Sequence, residues 1–205
     1  VSGLSIASRL AQARPGTNVL LVALELCTLA VRHDELTKAN VVAASLFGDG
    51  AAAAVLRAGD GGATQIEATG EKQWPDTLDI MGWSVDPEGF GVIFQRTIPD
   101  FVRDNFGPAV TEILSRMKLV ASDIDRFICH PGGAKVITAL ERALSLDQGT
   151  LDHERDVIAD YGNMSGPTVL FVLERARAAG LPPRSLLTAL GPGFTASCVA
   201  LRHAA

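Results

Sequence analysis

The stretch at residues 126–136, RFICHPGGAKV, constrains the fold more than any other part of the chain. A short apolar run, Phe127, Ile128 and Cys129, ends at His130, passes Pro131, Gly132 and Gly133, and enters a segment with helical periodicity. Strand, tight turn and helix in succession satisfy that order, which puts His130 at a strand end. A second stretch, DYGNMSGPTV at residues 160–169, sets Asn163 between Gly162 and Met164, ahead of a helix with Val169, Val172, Leu173 and Ala176 on one stripe. Asn163 is then on a turn, free to point inward. An imidazole and a primary amide held by rigid junctions are the groups that stabilise an oxyanion. Tight structural turns explain the same glycines without chemistry.

The remainder alternates helices and strands, an α/β pattern. Residues 1–13 read as a helix apolar over most of its face, as in a helix buried within a protein. Residues 18–26 read as a strand buried on both faces, and 51–56 as a strand of small residues entered through a Gly48-Asp49-Gly50 turn. Residues 30–38 read as a polar loop. The break at residues 59–62 divides the chain into units 1–58 and 59–205. Beyond it come a strand at 65–70, a loop or hairpin at 74–88, and a helix after Pro99 with Val110, Ile113, Leu114 and Met117 on one stripe. The strand to Cys129 is expected from residue 123, a helix at 152–161, and strands at 186–190 and 197–201 joined by Gly191–Thr195. With 205 residues, 47% of them hydrophobic, the chain can bury a sizeable core. A net charge of −5 without a dense basic block argues against nucleic acid or an anionic membrane surface as partner. Cys27, Cys129 and Cys198 sit in apolar contexts without CxxC spacing, so free buried thiols are expected and no metal site. No stretch reads as a signal peptide or an integral membrane span.

CHPGG before a helix, YGNMSGP before a helix and the late GPGFT together resemble the type III polyketide synthases, the chalcone-synthase-like, bacterial branch of the thiolase-fold condensing enzymes. ELCTL at residues 25–29 and SLFGDGAAAAVL at 45–56 agree with that resemblance. It implies a thiolase-like, layered α-β-α-β-α fold, of which this chain holds the downstream part. The units 1–58 and 59–205 are then the end of the first thiolase-type half and the second half. The resemblance implies that the nucleophilic cysteine lies upstream of Val1, with His130 and Asn163 as its catalytic partners. It further assigns Phe47 and Cys27 to the substrate pocket, with Val92 at a second gatekeeper position flanked by Phe90 and Phe94. Gly191, Pro192, Gly193 and Phe194 would form the cavity wall.

The activity so implied is iterative decarboxylative condensation of an acyl-CoA starter with malonyl-CoA, giving a pyrone, resorcinol or other aromatic polyketide. Coenzyme A thioesters are the substrates, with no cofactor beyond them. The expected setting is a cytoplasmic homodimer that includes the N-terminal part of the same enzyme. Two alternatives stay open: a ketoacyl-carrier-protein synthase of the third class, and a non-catalytic fragment that acts only as a packing partner.

Overall fold

A computed structural model describes residues 1–32, 34, 37–59 and 62–204. In chain order the elements are α1 (Ser2–Ala13), β1 (Asn18–Glu25), α2 (Lys38–Leu46), β2 (Gly50–Arg57), β3 (Thr64–Gln73), β4 (Met81–Asp86) and β5 (Gly89–Phe94). Then follow α3 (Ile98–Arg116), β6 (Arg126–Cys129), α4 (Ala134–Ala143), α5 (Asp152–Tyr161), α6 (Thr168–Ala179), β7 (Arg184–Gly191) and β8 (Thr195–His203). Residues 60 and 61 of the sequence break at 59–62, and 33, 35 and 36 of the polar loop, lie outside the described residues.

The centre is a four-stranded sheet in the order β3-β8-β7-β6, antiparallel except for the β6–β7 pair. Strand alternation sorts its side chains into two cores. Phe127, Cys129, Leu186, Ala196, Cys198 and Ala200 face the stripe Val102, Phe106, Val110, Ile113 and Leu114 of α3 and Val136, Ile137 and Leu140 of α4. Ile128, Leu187, Val199 and Leu201 face Leu4 of α1 and Val169, Val172 and Ala176 of α6. On the far side of α1 and α6 lies the antiparallel pair β1–β2, whose Leu21, Ala54 and Leu56 close the second core. The layers therefore run α3/α4, sheet, α1/α6, sheet: four of the five in the implied plan.

The exposed layer corrects two expectations. β1 is not buried on both faces: Leu20, Val22 and Leu24 are each about 60% exposed, at 63%, 58% and 62%, because the described residues supply only one helical layer against it. α1 buries Leu4, Ser5, Ala7 and Ala11, while Ile6 and Leu10 face outward, so it is a one-sided helix. A smaller correction concerns β6, which begins at Arg126 because residues 121–123 wind into a 3-10 turn.

The glycines of Gly48-Asp49-Gly50 do not form a turn. Neither lies in a turn, Gly50 opening β2, and their lack of a side chain serves a close crossing. A Cβ on Gly48 would stand 2.6 Å from the Tyr161 carbonyl oxygen, and one on Gly50 2.5 Å from the Met164 sulfur. From the other side Gly162, at φ +71°, would bring a Cβ within 2.6 Å of the Leu46 carbonyl oxygen. Backbone hydrogen bonds from Asn163 to Leu46 (2.8 Å) and from Gly48 to Asn163 (3.0 Å) join the two segments, so Phe47 and Asn163 form a parallel bridge.

Candidate active site

β6 and β7 run parallel, and the carboxyl ends of such strands open a crevice where side chains and ligands meet. His130 is the first residue past β6. Its N–H donates to the Thr188 carbonyl (2.8 Å), which extends the pairing, and its own carbonyl accepts from Gly132 N–H (3.1 Å). Cys129 faces the α3/α4 core and is wholly buried, so His130, next along the strand, turns the other way, into a cavity of about 460 Å³. Its ring makes no hydrogen bond to the described residues. Burial lowers the imidazole to about 4. The ring is neutral at pH 7 and keeps one N–H to donate.

Asn163 borders the same cavity and is 5% exposed. Its Oδ1 accepts from Ser165 N–H at 2.8 Å and from Thr168 Oγ1 at 3.5 Å, and its Nδ2 donates to the Gly132 carbonyl at 3.3 Å. These contacts fix the amide orientation, since a nitrogen in place of Oδ1 would oppose the Ser165 N–H. One N–H of Nδ2 is left over. The Gly132 contact also ties the His130 loop directly to the Asn163 loop.

Phe47, Cys27, Val92, Gly191 and Pro192 all line the cavity with His130 and Asn163. Gly193 and Phe194 do not. Phe194 is fully buried in the α3 core, its ring 4.7 Å from Phe101 and 6.2 Å from Trp74, while Gly193 occupies the hairpin turn at φ +67° against Leu78 and Gln73. The hairpin turns the wall at Pro192 and sends the next apolar side chain to the core. Phe90 shares the face of β5 that carries Val92 and Phe94 but does not line the cavity; it meets Trp83 edge-on at 6.3 Å, whereas Val92 and Phe94 line it.

Sequence reasoning missed Glu25, Trp83, Ser2 and Ser197 on the lining. Glu25 ends β1 beside Cys27, and a carboxylate closing a strand of apolar residues was the available signal. Burial first, then the Glu25 and Asp49 carboxylates, raises the Cys27 thiol. Burial likewise lifts Cys198 to about 12 and Cys129 well above the usual thiol range. All three are held as neutral thiols, the unreactive form. The cavity thus offers two donors aimed at one space, mostly apolar walls, and the N-terminus of α1, whose Val1 and Ser2 reach its border.

Residues 65–205 match the family described as chalcone and stilbene synthases, C-terminal domain, and residues 1–72 match 3-oxoacyl-[acyl-carrier-protein] synthase III. The chain is 41% identical over 196 residues to a 1,3,6,8-tetrahydroxynaphthalene synthase of Streptomyces peucetius subsp. caesius, covering 92% of this chain and 52% of that protein. It is 32% identical over 206 residues to an alpha-pyrone synthesis polyketide synthase-like protein of Mycobacterium tuberculosis, covering 95% of this chain and 52% of the other. Among solved structures, the 1,3,6,8-tetrahydroxynaphthalene synthase of Streptomyces coelicolor A3(2), a bacterial type III polyketide synthase, superposes with a TM-score of 0.92 at 30% identity. That match covers all of this chain and 59% of the other. The chain spans about half the length of the curated relatives it matches.

Proposed function

Because the chain belongs to the chalcone and stilbene synthases and has their layered thiolase-type fold, we propose that it forms the His–Asn part of a type III polyketide synthase. The observation that carries this reading is the convergence of His130 and Asn163, each with an N–H to spare, on one largely apolar cavity. The nucleophile we place upstream of Val1, at the start of α1, where the helix N-terminus lowers a thiol's pKa.

A thioester is a stable acyl carrier, so a soft nucleophile must take the acyl group from coenzyme A. A thiolate beside His130 restores the proton affinity that burial removes, and the pair then exists as thiolate and imidazolium. Decarboxylation of malonyl-CoA leaves an enolate whose oxygen needs donors in a water-poor site, and Asn163 Nδ2 and His130 supply two. The enolate carbon attacks the acyl-enzyme carbonyl and lengthens the chain by one ketide. Repetition and ring closure give a pyrone, resorcinol or related aromatic. No group beyond the coenzyme A thioesters is required, and the working enzyme is a cytoplasmic homodimer. Among the described residues no helix is long and apolar enough to cross a membrane.

The match of residues 1–72 favours a second reading, a single condensation on a carrier-bound extender. Both are tested by offering malonyl-CoA and malonyl carrier protein separately, with a panel of acyl-CoA starters, to protein that includes the upstream segment. Multiple extensions from malonyl-CoA are expected. Extension only from the carrier-bound form supports the second reading, and none from either refutes both.

A further inference from the structure

Ser197 of β8 stands directly opposite Glu71 of β3 in the antiparallel register, on the face turned toward α1. Its hydroxyl donates to Glu71 Oε1 at 3.0 Å. Ser2, the first residue of α1, lies 2.7 Å from the Ser197 oxygen. A serine has a single hydroxyl proton, so with that of Ser197 given to Glu71, Ser2 must be the donor in the Ser2–Ser197 contact. The three groups form a one-way chain: Ser2 to Ser197 to carboxylate. Ser2 and Ser197 border the cavity, and Ser2 Oγ keeps lone pairs that no protein donor occupies among the described residues, while Glu71 lies outside the lining and is exposed. The chain therefore crosses from the cavity to solvent through the 6% exposed Ser197.

Resting on the condensation reading above, we propose that Glu71, acting through Ser197 and Ser2, is the base that takes carbon-bound protons from the growing polyketide. A methylene between two carbonyls gives its proton to Ser2 Oγ as the Ser2 proton passes to Ser197 and the Ser197 proton to Glu71. The C–H electron pair remains as an enolate, and the carboxylate becomes a carboxylic acid that returns its proton to water. The enolate carbon then attacks a carbonyl carbon of the same chain and closes a carbocycle. Lactone closure instead draws on the enol that a 1,3-dicarbonyl already holds at equilibrium, its proton moved from carbon to oxygen and released from that oxygen on closure, so the relay favours carbon closure and selects ring type rather than chain growth. Glu71 and Ser197 touch no reacting atom and act by positioning and relay.

The test is product analysis from malonyl-CoA and one accepted acyl-CoA starter, using wild type, Glu71→Gln and Ser197→Ala. Gln at 71 still accepts the Ser197 hydroxyl but cannot take up its proton, so it separates proton transfer from structure. General-base catalysis contributes about 100-fold at the low end, so the carbocycle-to-lactone ratio is expected to fall about 100-fold in both variants. In Glu71→Gln, a position outside the cavity lining, the kcat and KM for malonyl-CoA consumption are expected to stay within about threefold, because oxyanion stabilisation for condensation resides elsewhere. An unchanged ratio in Glu71→Gln overturns the relay, as does a wild type that makes lactones only, and either leaves the condensation reading standing. A wild type that consumes no malonyl-CoA removes that reading and the relay with it.

Discussion

Glu154→Gln tests the energetics of the strand that delivers His130. Glu154 is fully buried beside the free edge of β6, where Oε1 accepts the Cys129 N–H at 2.8 Å and Oε2 has no partner among the described residues. Burial raises the carboxyl to about 7, against the opposing pull of the Cys129 N–H and Arg126. The ordinary value is 4.5, and the gap, at about 1.4 kcal/mol per pH unit, amounts to roughly 3 kcal/mol. The folded state binds the proton more tightly, so this stability is present in full below the unfolded value and lost as pH rises through about 7. Between pH 5 and pH 8 the wild type should lose roughly 2–3 kcal/mol from this group. Gln keeps an oxygen for the Cys129 N–H and has no charge to bury, so its loss over the same interval should be smaller by about that amount. The assay is urea unfolding of both proteins at pH 5, 6, 7 and 8. Parallel pH profiles would refute the reasoning. A uniform offset of ~1–3 kcal/mol against the variant would only report that the new amide N–H groups lack partners.

Four further outcomes are expected. Asn163→Ala should lower condensation roughly 100- to 1000-fold with little change in KM, measured by malonyl-CoA turnover, because one oxyanion donor is lost. Arg155→Ala should destabilise the fold by about 3 kcal/mol in chemical unfolding, because Glu141, wholly buried and held by Arg155 at 2.6 and 2.7 Å, would keep its charge without its partner. Gly162→Ala should cost about 2 kcal/mol or more in the same assay, since both the positive φ and the 2.6 Å approach to the Leu46 carbonyl oppose a Cβ. Phe194→Ala should lower stability by about 3–5 kcal/mol while leaving the product spectrum of the remaining folded enzyme unchanged, because its ring fills the core and not the cavity.

Local chemistry made much of this molecule legible. α5 runs over Asp152–Tyr161 as expected, because Gly162 at positive φ stops it, and His130 and Asn163 were marked by the glycines and apolar runs around them. What the sequence hid depends on distant partners. Nothing local distinguishes a glycine that turns from one that lets another chain pass, so Gly48 and Gly50 were misread until the 161–164 segment was seen against them. The continuous apolar run of β1 announces a strand, but its exposure depends on which layers are present. Phe194 lies in the motif whose Gly191 and Pro192 line the pocket, and past the turn at Gly193 its side chain goes to the core while the next residue, Thr195, returns to the lining. Glu154 left a faint trace: it replaces an apolar residue on the Leu151, Val157, Ile158 stripe, which is where a buried carboxyl is to be sought.

The backbone bridge between Phe47 and Asn163 has a consequence for how such an enzyme can be remodelled. On the function proposed above, Phe47 would bound the space a substrate can fill and Asn163 would carry a donor for the reacting oxygen; paired main-chain hydrogen bonds weld the two with no side chain between as a cushion. Enlarging the chamber by moving the segment around Phe47 would tilt the amide by a comparable distance, and a misplacement of about 1 Å can cost on the order of 100-fold in rate. Chamber size and turnover are mechanically geared together on that wall. The β4–β5 hairpin carries no such gear: Trp83 and Val92 face each other across it and face the same cavity, and neither is hydrogen-bonded to the His130 or Asn163 loops. Variation in product length can accumulate there while the chemistry stays fixed.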